Sequence, residues 1–141
     1  MADQPFDPIS IAQFSVIRIP YTFEGRRSEK FFVVLCRRGA HIMCIKATSK
    51  TEIYKNNPDK MKGCIYYPAG SLGCFSEDTA IQPDNQIPIS DGDLRNAFAE
   101  GTLKVYPPPE NFEQELRKAI RNSYTLDERR RERLIAAIGK P

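Results

Sequence analysis

The sequence predicts a mostly β fold with helices, an α+β class built on a small β-barrel. Three observations predict it. Residues 30–35, Lys-Phe-Phe-Val-Val-Leu, and residues 41–49, His-Ile-Met-Cys-Ile-Lys-Ala-Thr-Ser, are apolar, β-branched and aromatic runs on either side of a glycine-containing turn, the pattern of a buried hairpin. Several more short runs of the same kind follow, separated by turn residues, which favours a barrel over a parallel sheet. Helical periodicity enters only after Ser90.

The first strand is expected at 14–19, Phe-Ser-Val-Ile-Arg-Ile, ended by Pro20, with 21–29 an exposed loop around Gly25. Strands follow at 30–36 and 41–47. Asn56-Asn57-Pro58-Asp59 marks a turn, because Asn and Asp satisfy nearby backbone groups and Pro fixes its own φ. Residues 63–67 read as a strand closed by Pro68-Ala69-Gly70. Residues 79–81 and 86–89 read as two pieces interrupted by Gln82-Pro83-Asp84-Asn85, since a proline restricts strand pairing. Ser90 can cap a short helix carrying Leu94, Ala97 and Phe98 on one face, with Gly101 as its left-handed stop and 102–106 as a last strand. Beyond Pro107-Pro108-Pro109, Asn111 and Gln114 make a capping-box pattern ahead of Phe112, Leu116, Ala119 and Ile120 at helical spacing. Thr125 and Glu128 repeat the pattern before Leu134, Ile135 and Ile138, with Gly139 as the stop. Arg129, Arg130, Arg131 and Arg133 crowd this last helix beside Asp127 and Glu132, and read as a solvated face.

At 141 residues the chain is expected to be a single domain over 1–141, with a barrel core at 14–106 and a helical extension at 110–139. Cys36, Cys44, Cys64 and Cys74 include no closely spaced pair, and the opening Met-Ala-Asp-Gln-Pro has no basic n-region, so reduced thiols in a cytoplasmic protein are expected. No apolar run approaches the roughly 18 residues of a membrane helix. The formal net charge of +3 is unevenly spread. Residues 26–50 hold seven basic side chains (Arg26, Arg27, Lys30, Arg37, Arg38, Lys46 and Lys50) against Glu29, whereas 75–100 hold six acidic ones against Arg95. Either the first hairpin offers a basic groove to a polyanion, or the two segments pair with each other and cancel.

The order of elements over about residues 14–106 resembles that of the PemK/MazF-like toxins, SH3-like barrels of bacterial toxin–antitoxin pairs. Lys30-Phe31 ahead of Phe32-Val33-Val34-Leu35 stands where the family has a basic residue and proline before a Val-Val-Leu strand. Thr48-Ser49 matches the Thr-Ser step ending the family's next strand, and Asp84-Asn85-Gln86 resembles its Asp-Gln strand with one residue extra. The passage 94–103, ending Glu-Gly-Thr-Leu, fits as well; the last 35 or so residues have no clear counterpart. The resemblance implies a metal-independent endoribonuclease, without cofactor, that cleaves single-stranded RNA, works as a homodimer and is neutralised by a cognate antitoxin.

Such cleavage needs a group to accept the 2′-hydroxyl proton, a group to protonate the leaving 5′-oxygen, and fixed positive charge at the phosphate. The candidate catalytic residues are therefore Lys30 for charge, Thr48 and Ser49 as hydrogen-bond donors to phosphate, and His41, the only histidine, for proton transfer. Arg26, Arg27, Lys46 and Lys50 are the candidate RNA-binding residues, Arg26 and Arg27 on a loop closing over the strand. Each has a plainer reading: Thr48-Ser49 as strand-closing hydroxyls, His41 as an exposed residue beside a turn. Lysine at position 30 is a point charge that cannot grip phosphate with two parallel bonds. A metal site from Cys36, His41 and Cys44 is disfavoured, since alternation sets His41 and Cys44 on opposite faces. The alternative function is a non-catalytic barrel module, binding a protein through Tyr66, Tyr67, Phe75 and Tyr106, or binding nucleic acid through the basic hairpin.

Overall fold

A computed structural model describes residues 6–139, apart from the side chain of Phe23; the opening residues read above for a leader lie outside the described residues. Six strands, β1 (Val16–Phe23), β2 (Arg26–Arg38), β3 (His41–Thr48), β4 (Ile65–Tyr67), β5 (Thr79–Ser90) and β6 (Lys104–Tyr106), form one antiparallel sheet in the order β4-β5-β3-β2-β1-β6. The sheet curls into a half-barrel. Helices α1 (Glu52–Lys55) and α2 (Pro58–Lys62) precede β4, α3 (Asp91–Ala99) follows β5, and α4 (Phe112–Asn122) and α5 (Glu128–Ile138) end the fold.

Both faces of the sheet are buried. On one, Val16, Val33, Leu35, Ile45 and Ile81 pack against Phe112, Leu116 and Ile120 of α4 and Leu134 and Ile138 of α5. On the other, Ile17, Ile19, Phe32, Val34, Ile42, Cys44 and Ile89 pack against Leu94 and Ala97 of α3. Two covered faces explain why β2 reads as an unbroken apolar run rather than an alternating one. A register shift between Val34 and Cys36 adds to this, because the extra residue lets Leu35 and Cys36 enter the same core. The helices after 110 therefore complete the main core.

Several expected boundaries change. Residues 21–29 are not a loop: β1 and β2 form a long hairpin whose turn is Glu24-Gly25, at φ of 52° and 76°. Consecutive left-handed residues match the twist of a two-residue hairpin, so the charged stretch is held by backbone pairing to Phe23↔Arg26. Pro20 does not end β1, because β6 covers only residues 16–18 and the proline's missing donor falls on an edge without a strand. The two pieces expected around 82–85 lie in one strand by backbone, yet its pairing with β3 jumps from Ile45↔Gln86 to Ala47↔Ile81, so residues 82–85 bulge out. Asn56-Asn57-Pro58-Asp59 joins two short helices, with Asn57 capping α2 and Pro58 in its first turn. Ser90 caps α3 as expected, its oxygen accepting from the Asp93 backbone N–H, and Gly101 at φ 74° follows the helix end. Neither expected capping box forms. Asn111 is left-handed with no side-chain cap, and the α5 cap is Asp127, which accepts from the Arg130 backbone N–H and thereby frees Thr125.

Candidate functional site

The last pair between β2 and β3 is Phe32↔Lys46. Beyond it the strands part: residues 26–31 continue with β1 alone, while Ala47 and Thr48 continue with β5. The fork opens a cleft of about 490 Å³, within the range of small-ligand sites. Its walls include Lys30 and Phe31 from one arm and Lys46, Thr48, Ser49 and Lys50 from the other.

Five of the residues expected from sequence thus converge. Lys30 and Lys46 are half-buried at the crotch of the fork, and Lys50 is exposed at its rim. Lys46 is held below the ordinary lysine value of 10.5 by burial first, then by the charges of Lys30 and Lys50. The Glu24 carboxylate opposes the shift. The Thr48 hydroxyl oxygen accepts from the Lys50 backbone N–H at 3.1 Å, which orients Oγ1 and leaves its own hydrogen available to a ligand. Ser49 is exposed beside it.

Other expected residues lie elsewhere. His41 begins β3, and at about 3.3 Å per residue it stands about 23 Å from Thr48 along the strand. There it pairs with Arg38 and Ser90 at the opposite end of the sheet, so the chain's only imidazole is not in the cleft. The strand direction itself separates them. Arg26 and Arg27 are exposed strand residues at the hairpin tip, and Arg27 lines a different hollow beside α3, with Asp93 and Glu100. They form no flap over the cleft because the hairpin is paired throughout.

The cleft also holds residues the sequence reading missed. Arg18 pairs with Glu29 at 2.6 Å, and its guanidinium lies 5.5 Å from the centroid of the Phe31 ring. Phe31 in turn meets Phe75 edge to face at 5.2 Å. Arg18 was legible: it sits two residues from Val16 on the same strand face, and a cation at a core-facing alternation demands a partner. Tyr54, buried at the back, donates to Gln82 Oε1 at 2.6 Å. Asn85 and Glu77 reach the cleft from β5 and the loop before it. That loop is pinned by Asp78, which accepts from Lys55 Nζ and from the Ala69 backbone N–H, each at 2.7 Å. The Lys55 bond, then the Ala69 bond, then Tyr66 hold the Asp78 carboxyl well below the usual carboxylate range.

Of the two readings of charge, the structure supplies part of each: Arg37 and Asp91 join the basic and acidic segments, while the lysines gather at the fork. The tyrosines and phenylalanines expected to offer contact area divide, with Phe75 buried and Tyr66, Tyr67 and Tyr106 half-buried. All four cysteines are free thiols, and among the described residues no His, Cys, Asp or Glu cluster is placed to hold a metal ion. Among the same residues no helix is long and apolar enough to cross a membrane. In comparisons with known proteins, no family model and no curated protein matches the chain.

Proposed function

We propose that the chain is a toxin-like endoribonuclease that cleaves single-stranded RNA in the forked cleft, on a sheet of the SH3-like barrel kind that the PemK/MazF-like toxins use. The observation that carries this reading is the convergence of Lys30, Lys46, Lys50 and Thr48 on one opening between two separated strands.

The reaction is a transesterification. The 2′-oxygen bonds to the adjacent phosphorus, the bond from phosphorus to the 5′-oxygen breaks, and the products are a 2′,3′-cyclic phosphate and a 5′-hydroxyl. Glu29, set in the cleft by Arg18, takes the 2′-hydroxyl proton. Lys46, whose ammonium burial and neighbouring lysines make more acidic, gives a proton to the leaving 5′-oxygen. Lys30 and Lys50 neutralise the non-bridging oxygens, and the free hydrogen of Thr48 donates to one of them. On this reading the chain is cytoplasmic, pairs with a second copy and is held in check by a cognate antitoxin protein.

One observation favours a second reading. The distance of His41 from the fork removes the group best suited to proton transfer at neutral pH, which fits a passive single-strand binder. The test uses a single-stranded RNA and the same strand with 2′-deoxy sugars, with and without chelator. The proposal predicts growth arrest on induced expression, cleavage of the ribose strand unchanged by chelator, and binding without cleavage of the deoxy strand. Salt-sensitive binding of both strands with no cleavage establishes the passive binder, and no binding to either refutes both.

A further inference from the structure

The bulge at residues 82–85 interrupts β5 where that strand borders the cleft. Three of its four residues are committed. Gln82 accepts from the buried Tyr54 hydroxyl at 2.6 Å, and Pro83 is buried with its carbonyl accepting from Gln86 Nε2 at 3.4 Å. Asp84 Oδ2 accepts from Thr125 Oγ1 at 2.8 Å, which ties the bulge to the linker between α4 and α5. The linker is fixed in its turn. Ser123 is buried, its hydroxyl lies 3.0 Å from Thr125 Oγ1, its carbonyl accepts from Arg131 Nη2, and its Cα approaches so near to Gly63 that a Cβ there would stand 3.0 Å away. Asn85 is the exception: it is exposed, lines the cleft, and its carboxamide makes no hydrogen bond among the described residues.

A carboxamide offers one acceptor and two donors on a planar group, the complement of a base edge that sets a donor beside an acceptor. Its use as a reader depends on rigidity, because an amide on a mobile loop gives up its selectivity as entropy. Here a proline and three hydrogen bonds hold the segment. We propose that Asn85 reads the edge of one base of the strand bound in the fork, and that Asp84, latched by Thr125, is the positioning residue that aims it. The inference rests on the reading of the cleft as an RNA site. It gives the C-terminal helices a part in specificity as well as in the core.

The test is binding rather than cleavage, with 2′-O-methyl octanucleotides of A, C and U, which cannot be cut. The wild type should prefer one of them by about 5- to 150-fold over the weakest, the range of one two-bond base contact. Asn85→Ala should flatten that preference; Thr125→Val should reduce it several-fold, and Thr125→Ser, which keeps the donor, should restore it. Lys30→Ala should weaken all three strands alike. A wild type that binds the strands equally, or an Asn85→Ala that keeps the preference, overturns the assignment of Asn85, and a Thr125→Val that keeps it overturns the latch. Failure to bind any strand is distinguishable, since it removes the underlying RNA reading as well.

Discussion

The two ends of β3 sit on the same strand and are built for different purposes. At the His41 end the strands stay paired and opposite charges meet: Arg37 Nη1 lies 3.0 Å from both Asp91 oxygens, and the Asp91 backbone N–H donates to the Ala40 carbonyl at 2.8 Å. At the Thr48 end the neighbouring strands diverge and three lysines share one cleft with Glu29 and Glu77, and burial first, then Lys30 and Lys50, lowers the Lys46 titration. Paired opposite charges mark where the molecule closes on itself, and the lysine-lined cleft at the other end is where the proposed function places its ligand.

The comparison breaks most visibly if the fork variants behave like fold variants. Lys46→Met is expected to cut RNA cleavage by about 100-fold, the low end of general acid catalysis, with a melting temperature within a few degrees of wild type. Arg37→Ala should show the reverse profile: leaving the largely buried Asp91 carboxylate unpaired costs about 1–3 kcal/mol in denaturant unfolding, with RNA affinity unchanged. Thr48→Ala removes one hydrogen bond to a charged oxygen, an effect of about 10-fold on cleavage, read in single-turnover assays. A smaller effect is the pH response. Because the folded protein holds Lys46 below its unfolded value, the charge is present at neutral pH and lost on the alkaline side before 10.5 is reached. RNA affinity should fall there, and Lys46→Arg, which keeps its charge, should shift the fall upward. The unfolded state binds the extra proton in that window, so the same group makes stability rise, not fall, as pH increases through it. His41→Ala is expected to change neither cleavage by more than about 2-fold nor stability by more than about 0.5 kcal/mol.

Much of the architecture was legible in the chain. Apolar runs at 30–35 and 41–47 located the two central strands, and the periodicities after 111 located α4 and α5. The hairpin tip was not, because Glu24-Gly25 between polar residues looks like a loop until the backbone of the partner strand pairs with it. Nor was the place of the final helices: their apolar stripe says that something is covered, and only the sheet shows what. In the site, local order brought Lys46, Thr48, Ser49 and Lys50 together almost by itself, since they are neighbours on one strand end. Lys30 joined them through the register Phe32↔Lys46. His41 illustrates the limit. Seven residues of sequence look close, but in an extended strand they are the length of the sheet.

The proposed function requires that the fork, and not the His41 end, receive RNA. Amide chemical shifts of the labelled protein, followed while a non-cleavable single-stranded RNA is added, test it most directly. RNA in the fork moves the amides of residues 29–31, 46–50 and 85 and leaves those of 38–41 and 90–91 still. Movement centred on His41 and Arg38, with the fork silent, would contradict it.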